Sequence, residues 1–383
     1  MKEVIKNFLK KNKTAIIMIC IALVAIGGLA YAIYRVANIK EPEIIIVDNN
    51  LTQYKGASTE VAIEDEVTTI GFRAFEGKTK ITKISFGENS KLDTIGFEAF
   101  LGCSGLVDIV LPKGLTHIST GAFKDCSALV NIVIPEGVIE IEKGAFEGCK
   151  NLKSISLPST LKTLGDGVFT NCTSLETITS KSEKYPVENG ILYAENKTVL
   201  VKYLASNTAT YYEVPASVEE IKPYAFQGAT SLVEIVIPTT VKEIGKAALN
   251  GCTSLETVSV PFVGATEKQH GTFAYFFGSI PTSVTTVNVL GGTVIDTIAF
   301  RNCSKIVVIN LPDTLTTIGV DAFKGCSKLL YINIPVNVKH MSSSVFVNCN
   351  KGLEITVNAT KANIQHWEEN WNAGGYTVVY ANE

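Results

Sequence analysis

Residues 129–151 read LVNIVIPEGVIEIEKGAFEGCKN and contain a complete repeating unit. Ile132 and Ile134 are separated by one residue, which predicts a β-strand that presents both side chains on one face. Pro135 ends that strand, because proline cannot donate a hydrogen bond to the next strand. The A-F-x-G-C segment that follows predicts a turn or short helix, which directs the phenylalanine and the cysteine back towards the isoleucines.

The same pattern recurs every 23 residues, and the cysteines mark its phase. Ala229 takes the cysteine place in one further copy, so two insertions interrupt a single register. One unit cannot bury its apolar side alone, whereas stacked units share a continuous core. The cysteines that follow Cys20 are Cys103, Cys126, Cys149, Cys172, Cys252, Cys303, Cys326 and Cys349.

Ten copies run from the one that contains Phe75 to the one that contains Phe346. Neighbouring strands lie ~4.8 Å apart, so ten of them would form a parallel sheet roughly 45–50 Å long. The sequence therefore predicts a repeat solenoid with a parallel β-sheet on one face and short helices or turns on its convex side.

The unit L-x-x-I-x-I-P-x-x-V-x-x-I-G-x-x-A-F-x-G-C-x-x resembles the BspA-type (Treponema-pallidum-type) leucine-rich repeat of cell-surface proteins, over about residues 58–357. The resemblance implies a right-handed leucine-rich-repeat solenoid, extracellular adhesion or binding to host or matrix components, and no catalysis. One departure concerns the position where leucine-rich repeats usually carry asparagine. Only Asn337 matches there, so the usual asparagine ladder should be absent; the other copies have Gly137, Thr160, Thr240 and Thr314.

The N-terminus has the pattern of a membrane anchor. Residues 1–14 contain five lysines and one glutamate, and residues 15–34 contain no charge. Twenty helical residues span ~30 Å, the thickness of the bilayer core. The positive-inside rule then predicts a cytoplasmic tail over 1–14, a single-pass signal-anchor helix over 15–34 in the plasma membrane, and an extracellular repeat region. Residues 35–57 would form a stalk or N-terminal cap.

A cleaved secretory signal is the alternative for this segment, because Ala30-Tyr31-Ala32 offers a small-x-small cleavage site near Ala32. Both interpretations export the rest of the chain. Beyond residue 35 there remain 28 basic and 36 acidic residues, a net charge of −8. Such an acidic region is not expected to bind nucleic acid.

The two insertions and the C-terminus are rich in aromatic residues. Residues 181–214 predict a β-hairpin, and insertions in solenoids often lie on the binding face. The rings are therefore either ligand contacts or a cover for the sheet beneath them. Residues 358–383 predict a C-terminal cap, in which Trp367 and Trp371 would share a helix face. The candidate aromatic contacts are Tyr193 and Tyr203 in 181–214, and Tyr275 and Phe276 in 262–287.

Strand residues between the inward isoleucines should face outward in rows along the sheet. They are small and mostly uncharged, and such a long, shallow strip suits an extended protein or polysaccharide better than a small metabolite, which needs a concave site. The same pattern is also that of a merely solvated sheet. The candidate contacts are Asn131, Ser154, Thr177, Asn310, Tyr331 and Asn333.

The sequence offers little catalytic chemistry. The cysteines occupy equivalent places in their copies, which favours buried, unpaired thiols over disulfides between adjacent copies. There is no C-x-x-C pair, and the four histidines are far apart along the predicted stack, so no metal site, no cofactor and no enzymatic activity are expected. The predicted function is non-catalytic binding of a protein or matrix ligand at the cell surface. The alternative is a structural or receptor-like scaffold of the envelope that binds the cell's own partners.

Overall fold

A computed structural model describes residues 43–380. The predicted cytoplasmic tail (1–14), the predicted membrane segment (15–34) and the possible cleavage site near Ala32 lie outside the described residues. Among residues 43–380, no helix has the length and the apolar composition needed to cross a bilayer.

The predicted I-x-I strands stack in parallel and in register. Ile132, Ile155 and Ile178 are direct partners on three neighbouring strands, and all three side chains are buried. The stack is divided into sheets of three, three and eight strands. The strands of this first ladder are Glu60–Ile63, Lys83–Phe86, Asp108–Ile109, Asn131–Val133, Ser154–Leu157, Thr177–Ser180, Tyr211–Glu213, Glu234–Val236, Thr257–Val260, Thr286–Val289, Val308–Asn310, Tyr331–Ile334, Glu354–Val357 and Thr377–Tyr380.

The expectation of short helices on the other side is wrong for the described residues. The V-x-x-I part of each unit instead forms a second ladder of mostly two-residue strands. Ile118 and Ile141, for example, are partners in it. These strands are Asn50–Tyr54, Thr69–Ile70, Thr94–Ile95, His117–Ile118, Glu140–Ile141, Thr163–Leu164, Val199–Tyr203, Glu220–Ile221, Glu243–Ile244, Val294–Ile295, Thr317–Ile318 and His340–Met341.

The A-F-x-G-C segment is a turn rather than a helix, because its glycine and the residue before its alanine are left-handed. Gly144 (φ 61°) and Gly148 (φ 76°) lie two residues before and two residues after Phe146. A helix requires consecutive right-handed residues, so this alternation prevents one. The turns instead bond to each other: the amides of Gly121, Phe123 and Asp125 donate to carbonyls of the next turn at 2.7–3.0 Å.

Phenylalanines of successive turns stack on one another in buried columns. Phe100 stacks on Phe123 at 5.2 Å between ring centroids, and Phe123 stacks on Phe146 at 5.3 Å. Aromatic residues outside the predicted copies extend the column. Tyr54, Tyr203 and Phe273 stack or tilt against the next phenylalanine at 5.2–5.4 Å, and each is buried.

All eight cysteines of the described region are unpaired and buried, as the sequence predicted. Seven of the thiols donate to the carbonyl of the phenylalanine in the preceding turn; Cys149, for example, donates to the Phe123 oxygen at 3.2 Å. The thiol therefore fills a small apolar site and also satisfies a buried carbonyl, which alanine at position 229 cannot do.

The first insertion contains the predicted hairpin. Strand Ile191–Ala194 pairs antiparallel with Val199–Tyr203, and the short strand Val187–Glu188 extends the hairpin. A 3-10 helix, Glu195–Lys197, connects the two longer strands. The hairpin lies where both ladders are interrupted and where the buried residues divide into two core clusters.

The second insertion is mostly an additional turn of the solenoid. Thr257 and Thr286 are direct strand partners although 29 residues separate them. The 3-10 helix Phe273–Phe276 lies within this turn and places Phe273 in the aromatic column. The insertion therefore lengthens the core.

Both ends of the described chain close the stack. An antiparallel hairpin, Ile44–Val47 with Asn50–Tyr54, precedes the first repeat. The expected helix bearing both tryptophans is absent from the described C-terminus, which has only the 3-10 helix Lys361–Ile364 and turns before the last strand. Trp367 is nevertheless buried and donates to the Val338 oxygen at 3.2 Å, and Trp371 packs edge-on against Phe346. Packing against the last turn decides their place, because the region is too short and irregular for helical spacing to apply.

Candidate binding surface

The first ladder presents two rows of outward side chains, which we call the outward strip. In its eight-stranded sheet, the strands run without interruption from Tyr211–Glu213 to Thr377–Tyr380. At ~4.8 Å per strand, the strip on this sheet is roughly 34 Å long. One row consists of Tyr211, Glu234, Thr257, Thr286, Val308, Tyr331, Glu354 and Thr377, and the other consists of Glu213, Val236, Ser259, Asn288, Asn310, Asn333, Thr356 and Val379. Ser259 belongs to the second row by its register but is buried.

A chain of side-chain hydrogen bonds runs across the middle of the strip. Asn310 donates to the Asn288 oxygen at 2.7 Å, and Asn288 donates to the Ser259 hydroxyl at 2.9 Å. Asn333 occupies the next position in the row, and its Oδ1 has no hydrogen-bond partner among residues 43–380. The side-chain amides of Asn288 and Asn310 are thus held in fixed orientations, whereas Oδ1 of Asn333 is buried and has no such bond among the described residues. Sequence reasoning missed Asn288, although V-N-V at 287–289 carries the two-residue period of a strand.

The predicted contacts Asn131, Ser154 and Thr177 lie on a separate three-stranded sheet, side by side in one row. The Ser154 hydroxyl donates to Oδ1 of Asn131 at 2.7 Å. The structure therefore brings these three together, but on a different sheet from Asn310, Tyr331 and Asn333. The first insertion lies between the two groups in the chain and interrupts the ladder.

Apolar groups also face outward on the strip. Tyr331 is 43% exposed, and on the N-terminal sheets Val110 and Val133 are 73% and 68% exposed. Val110 and Val133 occupy the same position in consecutive copies, and Ser156 and Thr179 follow them in the row, so the strip has mixed character. Such a surface can combine apolar contacts with hydrogen bonds along an extended ligand.

Three of the aromatic residues predicted as ligand contacts belong to the core instead. Tyr193, Tyr203 and Phe276 are all buried. These side chains fill the interior of the solenoid where the repeat pattern is lost. Tyr203 occupies the position that phenylalanine has in the regular copies, and Phe276 packs edge-on against Phe273. The fourth, Tyr275, is partly buried and packs against the same core. The rings therefore cover the interior, the second of the two interpretations open from the sequence.

The buried tyrosines of the first insertion are hydrogen-bonded to each other. The hydroxyls of Tyr193 and Tyr212 are 3.1 Å apart. Burial raises the pKa of the Tyr212 phenol well above its usual range, and the bond to Tyr193 acts in the same direction. The Tyr212 hydroxyl therefore stays protonated, and its bond to Tyr193 serves the packing of the hairpin.

The titratable groups of the described region offer no metal site, and its thiols are buried. No group of three or more His, Cys, Asp or Glu side chains there could hold a metal ion. Burial raises the pKa of the Cys103, Cys172 and Cys252 thiols to about 12, so they are protonated at neutral pH. Protonated thiols inside a core are neither nucleophiles nor metal ligands.

Comparison with known proteins gives one family. The model of the BspA type leucine rich repeat region matches in six copies, over residues 45–176, 202–287 and 274–368. No curated protein matches the chain.

Several solved structures share the fold. A leucine-rich repeat protein from Eubacterium ventriosum is 22% identical, with a TM-score of 0.59 over 80% of this chain and 92% of that one. The pneumococcal vaccine antigen PcpA is 23% identical, with a TM-score of 0.57 over 80% and 69%. A leucine-rich cell surface protein from Faecalibacterium prausnitzii is 24% identical, with a TM-score of 0.52 over 84% and 94%.

Proposed function

Since the chain belongs to the BspA-type leucine-rich repeat family, we propose that it is a non-catalytic cell-surface protein whose outward strip binds an extended segment of another protein. The family comprises surface proteins of the kind found among the similar structures, and no enzymatic family is indicated. The particular ligand and the role in adhesion are our proposal.

The uninterrupted eight-stranded ladder is the observation that supports this function best. The strip is roughly 34 Å long, is mostly small and uncharged, and holds its central amides in place through the chain from Ser259 to Asn310. An extended peptide that lies across parallel strands would meet a row of preoriented donors and acceptors at ~4.8 Å intervals. Tyr331 would supply an aromatic contact beside them.

We also propose the remaining organisation that the sequence predicts. Residues 15–34 would anchor the protein in the membrane, with 1–14 cytoplasmic and 35–57 as a stalk or cap. The repeats of 58–357 would be displayed outside and closed by 358–383. N-terminal sequencing of the mature protein tests this arrangement, since cleavage near Ala32 would remove the anchor.

A display experiment tests the binding role. The full chain, displayed on cells, would be screened against arrays of surface and matrix proteins and of glycans. The variant Asn310→Lys/Tyr331→Lys adds two charges to the strip at largely exposed positions, so it should fold normally and lose at least tenfold in affinity for a protein found in the screen. The matched control, Val320→Lys/Ser327→Lys, adds the same charges at exposed positions of the turns.

The outcomes separate the possibilities. Equal loss in both variants would mean that the effect is general electrostatics, and unchanged binding in the strip variant would exclude this surface. Recovery of only the cell's own envelope proteins would favour the scaffold role, and recovery of only glycans would exclude a protein ligand.

A further inference from the structure

The interruption between the two halves of the solenoid contains a cavity of about 250 Å³. It lies between the turn at residues 164–170, the strand Val199–Tyr203 of the first insertion and the turn at 220–224. No predicted contact or strip residue lines it, so it is separate from the proposed binding surface.

Backbone amides of the last turn before the interruption lack their usual acceptors. In the preceding turn, the amides of Gly144 and Phe146 donate to the oxygens of Asp166 and Val168 at 3.1 and 3.2 Å. The equivalent amides of Gly167 and Phe169 have no protein acceptor in the region 43–380. Both residues line the cavity, which occupies the place of the missing turn.

The backbone of this turn contains left-handed residues. Gly167 has a φ of 67° and Asn171 a φ of 59°. Turns of irregular backbone can present several amides to one concave side, where an anion accepts their hydrogen bonds. Elsewhere in the solenoid, the next turn's carbonyls fill that site.

Lys202 brings a positive charge to the same cavity. The residue is only 5% exposed, and its Nζ donates to the Tyr224 oxygen at 3.3 Å. Within the described chain, no carboxylate lies within 4 Å of this Nζ. Burial lowers the pKa of Lys202 to about 8, so at pH 7 most of the amine is still protonated. A buried ammonium without a counter-ion is costly.

The acidic groups that line the cavity are already engaged with other lysines. Asp166 and Glu220 lie 3.2 and 2.7 Å from Nζ of Lys222, and Glu195 lies 3.1 Å from Nζ of Lys184. These groups are at the partly exposed rim, whereas Lys202 is enclosed. The interior of the cavity therefore combines one ammonium with two free amides.

We propose that this cavity binds a small carboxylate, whose oxygens take hydrogen bonds from Nζ of Lys202 and from the amides of Gly167 and Phe169. A volume of 250 Å³ corresponds to about eight water molecules at ~30 Å³ each, so a group of acetate or small amino-acid size fits. The carboxylate comes either from a free small molecule or from a side chain of a bound protein.

Calorimetric titration of the full chain with sodium acetate tests the proposal. Sodium acetate replaces sodium chloride in the buffer, so that the ionic strength stays constant. We expect saturable binding that is at least tenfold weaker in Lys202→Met, which keeps the length of the side chain and removes the charge. Lys153→Met, at an exposed position, is the matched control and should bind as the original protein does. Absence of saturable binding, or equal binding by Lys202→Met, would overturn the proposal.

A second variant tests the place of the site independently of the charge. Ala194 is buried and lines the cavity, so Ala194→Phe should fill it and abolish acetate binding while Lys202 remains. Retained binding in a folded Ala194→Phe protein would place the acetate elsewhere and refute the assignment. A glutamate-containing pentapeptide with a blocked C-terminus, titrated in parallel, distinguishes the two sources, since it binds only if a side-chain carboxylate can enter.

Discussion

Asn171 and Gln227 exchange two hydrogen bonds across the interruption of the solenoid, although 56 residues separate them. The backbone amide of Asn171 donates to Oε1 of Gln227 at 2.7 Å, and Nε2 of Gln227 donates to Oδ1 of the Asn171 side chain at 2.8 Å. Elsewhere the turns bond to each other through their backbones. Here a side chain replaces the backbone of a missing turn and connects the two halves.

The first prediction concerns this connection. Gln227→Ala should lower the free energy of unfolding by about 1–2 kcal/mol, because the variant loses three hydrogen bonds, two to Asn171 and one to Oδ1 of Asn250, at a site with few other backbone bonds. The measurement is urea unfolding, followed by tryptophan fluorescence and far-UV circular dichroism. Both tryptophans lie after the junction, so the two signals should separate in the variant.

Gln269→Ala is the control for this experiment, because Gln269 is exposed and its side chain makes no hydrogen bond among the described residues. It should unfold as the original protein does. Coincident, unshifted transitions in Gln227→Ala would show that the side-chain bridge does not couple the halves.

The second prediction concerns the aromatic column. Phe146→Ala should cost about 3–5 kcal/mol, since it leaves a cavity in the buried stack. Phe72→Ala should cost less than about 1 kcal/mol, because Phe72 is 65% exposed although it stacks on Phe97. Urea unfolding of the two variants measures the difference. Similar losses of unfolding free energy would contradict the conclusion that the aromatic column stabilises the core.

The third prediction concerns the thiols. In Cys20→Ala, the eight remaining cysteines should not react with a thiol reagent at pH 8 in the native protein and should all react in denaturant. Burial raises the pKa of Cys303 and Cys349 to about 12, above the usual value near 9. Reaction of several thiols in the folded protein would show that the buried cysteines are accessible to the reagent.

The same pKa values predict alkaline destabilisation. Between pH 9 and pH 12, the unfolded thiols release protons that the folded thiols keep, so the unfolded state binds fewer protons and the stability falls as the pH rises. Below pH 9 this contribution is fully present. Urea unfolding at pH 8 and at pH 10 measures it, and a stability that rises over this interval would contradict the prediction.

The fourth prediction concerns Lys202, whose pKa is shifted in the opposite direction. Between pH 8 and 10.5 the folded protein releases a proton that the unfolded chain keeps, so this residue alone makes stability rise with pH. Lys202→Met should therefore be more stable than the original at pH 7, by up to about 3 kcal/mol. This advantage should shrink towards pH 10.5.

The comparison of the two proteins at each pH cancels the thiols and the other lysines, which both share. Urea unfolding at pH 7, 8.5 and 10 supplies the data. A difference that does not change with pH would show that Lys202 is not held at a lowered pKa.

The sequence alone determined the period, the phase and the core of this protein. The spacing of the cysteines and phenylalanines identified the copies, and I-x-I identified the strands of the first ladder and their outward positions. These features could be read because each depends on a local pattern of apolar residues, repeated often enough to remove ambiguity. The hairpin of the first insertion could be predicted for the same reason, because its pattern lies within a short stretch of sequence.

Only the tertiary structure decided the second ladder, the conformation of the turns and the roles of the inserted aromatic residues. A two-residue strand is defined only by its pairing with neighbouring strands, so no local sequence pattern predicts it. Ile298 is left-handed (φ 59°), a costly conformation for a branched side chain, and its amide bonds the Val320 oxygen of the next turn at 2.9 Å. Tyr203 and Phe273 lie in the core because they occupy ring positions of the aromatic column that no regular copy supplies. Each of these outcomes depends on contacts between turns, which the order of residues within one turn does not specify.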